Sequence, residues 1–282
     1  MRKFILLCFV VPSFVHAQNL HVELSGGFSN YQGDLQEKQF TTQQAKGEVG
    51  IGVRYDLSNH FAVRANLTYA ALSADDKYNT QADLRARNLS FHTHLTEANL
   101  LLDYNILNLN YHRVTPYVFG GLAVFHYNPY AYDSLGSKVY LKPLSTEGEG
   151  LAAYPGRKAY QLTQFAIPFG AGIRWRFTDN ITLSYEIGFR KTFTDYLDDV
   201  STTYVDQTVL AAAKGAKAAE MAYRGDELKT GLTYPADGSI RGGSKFRDGY
   251  YFSGVTVSIG IGKRHGFHGT DNGRTDCPKP VE

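Results

Sequence analysis

The chain is short of the residues that hold several classes of protein together. It has two cysteines, two methionines and one tryptophan in 282 residues. Cys8 lies within an N-terminal apolar run, so a chain cleaved behind that run keeps only Cys277 and forms no intrachain disulfide. A formal net charge of +2 gives no electrostatic reason to expect a nucleic-acid partner. Beyond the N-terminus no apolar run approaches the length of a spanning helix, so a membrane-inserted form must be a closed barrel. No glycine-rich phosphate cradle follows a strand and opens a helix, which leaves nucleotide binding without support.

What is abundant points to strands and turns: 28 glycines, 20 tyrosines and 17 phenylalanines. Arg2 and Lys3 precede an apolar stretch over 4–14, and Val15-His16-Ala17 supplies a cleavage site, so residues 1–17 read as a signal peptide. Residues 18–263 then form one barrel domain, and 264–282 a periplasmic tail that includes Arg264, His265, His268 and Arg274. A disordered end is the expectation for that tail, with a contact to a periplasmic partner or to peptidoglycan as the alternative.

Side chains alternate with period two in eight segments: 20–28, 48–57, 61–71, 97–106, 117–127, 165–177, 181–193 and 251–261. In the seventh, Ile181, Leu183, Tyr185, Ile187 and Phe189 share one face while Thr182, Ser184, Glu186 and Arg190 share the other. Segments 97–106 and 117–127 are less clean, with Leu101 interrupting a polar face. A soluble sandwich also alternates, but here short connections (57–60, 107–115, 177–180) alternate with long polar ones (31–46, 73–96, 128–163, 194–249). Aromatic residues crowd the segment ends, among them Tyr55, Phe61, Tyr69, Tyr104, Tyr117, Phe125, Tyr127, Trp175, Phe177, Tyr250 and Tyr251, which suggests two interfacial girdles. The expected fold is all-β: an eight-stranded antiparallel transmembrane β-barrel in the outer membrane, with long outer loops, short periplasmic turns and both termini periplasmic.

Phasing the strands places Glu23, Glu48, Arg54, Asp56, Arg64, Asn66, Glu97, Asn99, Asp103, Arg174, Arg176, Glu186 and Arg190 on the luminal face. Six acids face five bases inside a barrel just wide enough for its own side chains. Enclosed charges must pair, so Glu48, Arg54, Arg64, Glu97, Asp103, Arg174, Arg176, Glu186 and Arg190 are expected to form an ion-pair plug. An ion pathway is the less favoured reading, and an open porin needs about sixteen strands.

Several stretches carry a family likeness: Asn30-Tyr31-Gln32-Gly33-Asp34-Leu35, Thr115-Pro116-Tyr117-Val118-Phe119-Gly120-Gly121 and Phe125-His126-Tyr127-Asn128-Pro129-Tyr130-Ala131. The most specific are the run Arg190-Lys191-Thr192-Phe193-Thr194-Asp195-Tyr196-Leu197-Asp198-Asp199-Val200-Ser201 and the run Tyr223-Arg224-Gly225-Asp226-Glu227-Leu228. Together they resemble the PorG-like outer-membrane barrels of Bacteroidota associated with the type IX secretion system. The resemblance implies a non-enzymatic component of that protein secretion machinery, contacting a periplasmic ring lipoprotein and its partner, with outer-membrane lipid and lipopolysaccharide as its surroundings. No cofactor is expected.

Other constellations are weaker. Asp195, Asp198 and Asp199 at the rim offer oxygen ligands for a divalent cation, without a full ligand set; the plainer expectation is that they cap and solvate the rim, with Asp195 pairing a basic residue such as Arg224. Arg224-Gly225-Asp226 reads as a turn. His92 and His94, read as loop residues, lack the acid or cysteine companions of a zinc site. Ser90, His92 and Glu97 can be arranged on paper as a lipid A-modifying triad, the alternative function class. Residues 211–221 are alanine-rich and predict a short exposed helix. A surface-adhesive barrel is the third possibility.

Overall fold

The computed structural model describes residues 19–229, 233–243 and 247–261. The expected signal peptide and the tail, with Cys277 and the tail histidines, lie outside the described residues. Among those described, eight long strands close one antiparallel barrel: β1 (Leu20–Gln32), β2 (Lys46–Asp56), β3 (Phe61–Asp75), β4 (Ser90–Asn105), β5 (Val114–His126), β8 (Thr163–Arg176), β9 (Ile181–Thr192) and β10 (Gly249–Gly260). A two-stranded flap, β6 (Tyr130–Tyr132) and β7 (Lys138–Tyr140), adds to the edge of β4 through His92 and Tyr130. Each long strand pairs with its sequence neighbour, and β1 with β10 closes the ring, His21 opposite Gly260 through Gln32 opposite Gly249. Among the described residues the eight-stranded ring has no open edge, so its backbone groups pair within the wall, as a hydrocarbon surrounding demands.

The outward faces carry Leu24, Phe28, Val49, Ile51, Leu67, Leu100, Leu122, Phe165 and Ile173, all exposed on the isolated chain. An exposed apolar band of that extent around a barrel is a lipid-facing belt. Phe61, Tyr104, Trp175 and Phe177 edge it near the short turns, while Tyr69, Phe169 and Phe189 lie toward the long loops. Tyr117, Phe125, Tyr127, Tyr250 and Tyr251 correct the girdle expectation, because all five are buried, Tyr251 beneath Phe40. On the strands, Tyr117, Phe125 and Tyr250 have the parity of the luminal face, and Tyr127 packs on Phe125.

Strands run further toward the long-loop end than the polar-apolar pattern indicates. β1 continues to Gln32, β3 to Asp75, and β4 begins at Ser90 rather than near 97. Past the belt the alternation inverts instead of ending: Leu72, Ala74, Phe91 and Leu95 point inward and are buried, while His94 points outward and is exposed. His92 and His94 therefore lie on β4 rather than in a loop. Glycines shape the lumen where a ring lies flat on the wall. A Cβ at Gly170 would sit 2.6 Å, and one at Gly188 2.8 Å, from Cζ of Phe119.

The long loops pack over the barrel mouth with cores of their own. Tyr31, Leu35, Phe91, Leu141, Leu197, Val200 and Met221 belong to one buried cluster, and Leu151, Val205, Leu210, Ala218 and Ala222 to a second. The alanine-rich stretch is thus two helices, α2 (Gln207–Lys214) and α3 (Ala216–Ala222), separated by Gly215 at φ +90°. Its apolar side is buried in this cap, which corrects the expectation of one exposed helix.

Candidate functional site

Two polar assemblies lie on the barrel axis: a luminal network within the belt and a buried cap above it. In the lumen, Asp103 on β4 accepts from Arg64 Nε on β3 at 2.9 Å and from Arg174 Nη2 on β8 at 2.7 Å. Arg64 also donates to Glu186 on β9 at 2.9 Å, and the Tyr117 hydroxyl donates to the same carboxylate at 2.6 Å. Arg174 stacks over the Tyr117 ring at 4.1 Å and donates to Asn105 at 2.7 Å. Toward the short turns, Arg54 lies 3.1 Å from Asp56 and 3.6 Å from Glu23, and His21 lies 3.1 Å from Asp56. Toward the cap, Glu97 meets Arg190 at 3.2 Å and receives the Tyr250 hydroxyl at 2.7 Å.

Period two carries each of these side chains inward, and strand register sets them side by side across neighbouring staves. Each guanidinium in this set has carboxylates in reach, the condition under which charges survive in an enclosed interior. Glu48 differs. It faces a cavity of about 30 Å³ lined also by Glu23, Arg64, Glu186 and Arg190, and makes no direct hydrogen bond or ion pair among the described residues. Such a space holds about one or two waters. Arg176 is buried beside Asp56 and Asp179 in a wider polar opening of about 390 Å³ at the short-turn end.

The cap is built around two more buried arginines. Arg87, at the end of α1 (Ala82–Arg87), grips Asp76 through two bonds of 2.8 and 2.7 Å and donates to the Asp34 carbonyl at 3.0 Å. Arg241 donates to Glu147 at 3.0 Å and to the Asp199 carbonyl at 2.6 Å, and its own carbonyl accepts from Arg87. Glu147 accepts from the Ser201 and Thr202 amides at 2.9 and 2.8 Å, lacing loop 127–162 to loop 193–248. The cap is fastened to the barrel at Tyr31, whose hydroxyl donates to Asp198 at 2.6 Å and to Asp248 at 3.1 Å.

Carboxylates outnumber guanidiniums in this cap, and burial raises their proton affinity. Burial pushes Asp195 and Asp199 up to about 6, against the nearby Arg247 and Arg241 charges respectively. Burial, then the Asp199 and Glu147 charges, pushes Glu149 up to about 8. Asp198 and Asp248 are also raised, by burial first and then by neighbouring carboxylates, Asp34 for the former and Asp198 for the latter.

Asp195, Asp198 and Asp199 are buried rather than solvating the rim, and their carboxylates go separate ways. Asp195 accepts from the Ser201 hydroxyl, Asp198 from Tyr31, and Asp199, at φ +68°, from Thr146 and Tyr160 at 2.6 Å each. Among the described residues no group of three or more His, Cys, Asp or Glu is arranged to hold a metal ion. Arg224 pairs with Glu227 at 2.8 Å, so it is not the partner of Asp195; Gly225 opens a 3-10 turn. The paper triad separates as well: Glu97 points inward onto Arg190, while the neighbouring-parity Ser90 and His92 face outward.

The luminal acids and bases are readable from parity, and so is His21, which the strand phase places beside Glu23. The cap pairs were missed. Arg87 with Asp76 and Arg241 with Glu147 join segments without periodicity, the latter 94 residues apart.

Several solved proteins are similar, among them the following three. Neisserial surface protein A shares 9% identity, with 86% of this chain and 97% of that chain covered and a TM-score of 0.42. OprG from Pseudomonas aeruginosa shares 8%, covering 86% and 97%, with a TM-score of 0.38. A major outer membrane protein of Thermus thermophilus shares 11%, covering 85% and 98%, with a TM-score of 0.39. No curated protein matches the chain. Residues 2–211 match the model of a domain of unknown function, and the chain belongs to that family, DUF6089.

Proposed function

We propose that this barrel is a non-enzymatic outer-membrane component of the type IX protein secretion machinery, acting through its surfaces and not as a conduit. The observation that carries the non-conduit part is the occupied axis. The Arg64–Asp103–Arg174 cluster crosses the lumen, and the Arg87–Arg241 cap covers the mouth. The secretion role is supported by the likeness of 190–201 and 223–228 to PorG-like barrels of Bacteroidota. In this fold Arg190 pairs with Glu97 across the lumen, Asp198 of the same run takes the Tyr31 hydroxyl and so ties the cap to β1, and Arg224 of the second run pairs with Glu227 within its own turn.

In this reading the termini and short turns face the periplasm, where Asn59, Asn108, Asn110 and Asp179 surround a polar opening for the ring lipoprotein. A clean deletion strain tests it. Cargo of the secretion system is expected to stay in the cell, and the tagged barrel to co-purify with the ring lipoprotein. Normal export from the deletion strain rejects the role.

A further inference from the structure

The outer wall beside β9 and β10 carries an amphipathic groove of about 620 Å³, bordered by Arg190 of the lumen and Asp248 of the cap and otherwise outside both polar assemblies. Its floor is lipid-facing: Phe189 stacks with Phe169 at 5.9 Å on β8 and with Tyr251 at 5.6 Å on β10. The loop 33–45 descends along the other side, and its Phe40 packs on Tyr251 at 5.5 Å. Gln32 and Gln39 line that side. Above the floor the belt ends abruptly in charge. Lys191 is the next outward residue after Phe189 on β9, and Arg247 stands just before β10. Gly249 lies opposite Lys191 in the register and has no side chain to fill the space between them.

Arg247 spends one N–H on the Phe193 carbonyl at 3.0 Å, which steadies its planar fork while leaving donors for another acceptor. Asp195 feels the Arg247 charge and has one carboxylate oxygen without a hydrogen-bond partner among the described residues, but no acid is hydrogen-bonded to the Arg247 guanidinium there. Asp248 takes the Leu197 amide at 2.8 Å and the Tyr31 hydroxyl, and Asp195 takes Ser201. Two exposed cations above an aromatic floor, at the depth where the belt gives way to loops, match an amphiphile with an anionic head and an acyl chain.

We propose that this groove binds a phosphorylated glycolipid of the outer leaflet, an acyl chain lying on Phe169 and Phe189 and a phosphate meeting Lys191 and Arg247. The assignment rests on the barrel's insertion in the outer membrane with its long loops outward, the orientation proposed above, and not on the secretion role. Native mass spectrometry of the purified full-length barrel in detergent, titrated with bis-phosphorylated lipid A, tests it. The Lys191→Gln/Arg247→Gln pair is expected to bind roughly 30-fold more weakly, and the charge-keeping Lys191→Arg/Arg247→Lys pair to stay within about threefold of the parent. Dephosphorylated lipid A is expected to bind as weakly as the neutral pair, and excess inorganic phosphate not to displace the lipid. Heat-dependent gel mobility verifies that each variant is folded. Equal retention of lipid A by the folded neutral pair, equal binding of the dephosphorylated lipid, or displacement by free phosphate overturns the proposal.

Discussion

Asp103 and Arg174 meet at 2.7 Å in the middle of the lumen, both essentially excluded from solvent. Arg64 takes the other carboxylate oxygen, so one anion on β4 joins β3 to β8 across the barrel. Asp103→Asn leaves two guanidiniums facing a neutral amide. A loss of about 3–5 kcal/mol in folding stability is expected. Urea unfolding from lipid vesicles, followed by tryptophan emission from Trp175, measures it.

Glu48 provides the contrast. Its carboxylate faces the small luminal cavity with no direct ion pair among the described residues, and the other five luminal acids already match the five luminal arginines. Glu48→Gln is expected to leave the unfolding midpoint within about 0.5 kcal/mol of the parent. A loss comparable to that of Asp103→Asn argues that Glu48 is an integral member of the network.

The glycine floor under Phe119 is equally testable. A Cβ at Gly188 meets Phe119 Cζ at 2.8 Å and Arg190 Nη1 at 2.7 Å. Gly188→Val is expected to cost about 1–3 kcal/mol by overpacking. Adding Phe119→Leu is expected to recover part of that, read as a coupling in a double-mutant cycle.

The cap is expected to loosen as pH rises. Asp195 and Asp199, at about 6, and Glu149, at about 8, hold protons more tightly in the folded cap than in an unfolded chain. The folded state therefore binds more protons, and stability falls with increasing pH between about 4 and 8. The Arg241 guanidinium beside Asp199 opposes this without reversing it. Limited proteolysis is expected to cut loops 127–162 and 193–248 faster at pH 8 than at pH 5, with the barrel strands resistant at both. Faster cutting at pH 5 contradicts the account.

The barrel was legible because a wall between lipid and charge imposes period two on every stave. Ile181 to Phe189 faces one phase and Thr182 to Arg190 the other, and the same parity places Arg54, Asp103 and Arg174 together in the lumen. The signal failed where the two environments exchange. Phe91 and Leu95 are apolar inside and His94 polar outside, so β4 reads as a loop although it continues as a strand. Cap residues obey no period. Nothing near Arg241 in the chain points to Glu147, and the buried side of α3 rests on alanines that equally suit an exposed helix. Asp195, Asp198 and Asp199 were conspicuous as a cluster, but their separate partners, Ser201, Tyr31 and Thr146, come from three different segments.

The claim on which the rest depends is that the axis of the barrel is closed. Planar-bilayer recording of the purified full-length protein tests it most directly. The account predicts no steady single-channel current for the parent. Stable conductance steps from the parent barrel contradict it.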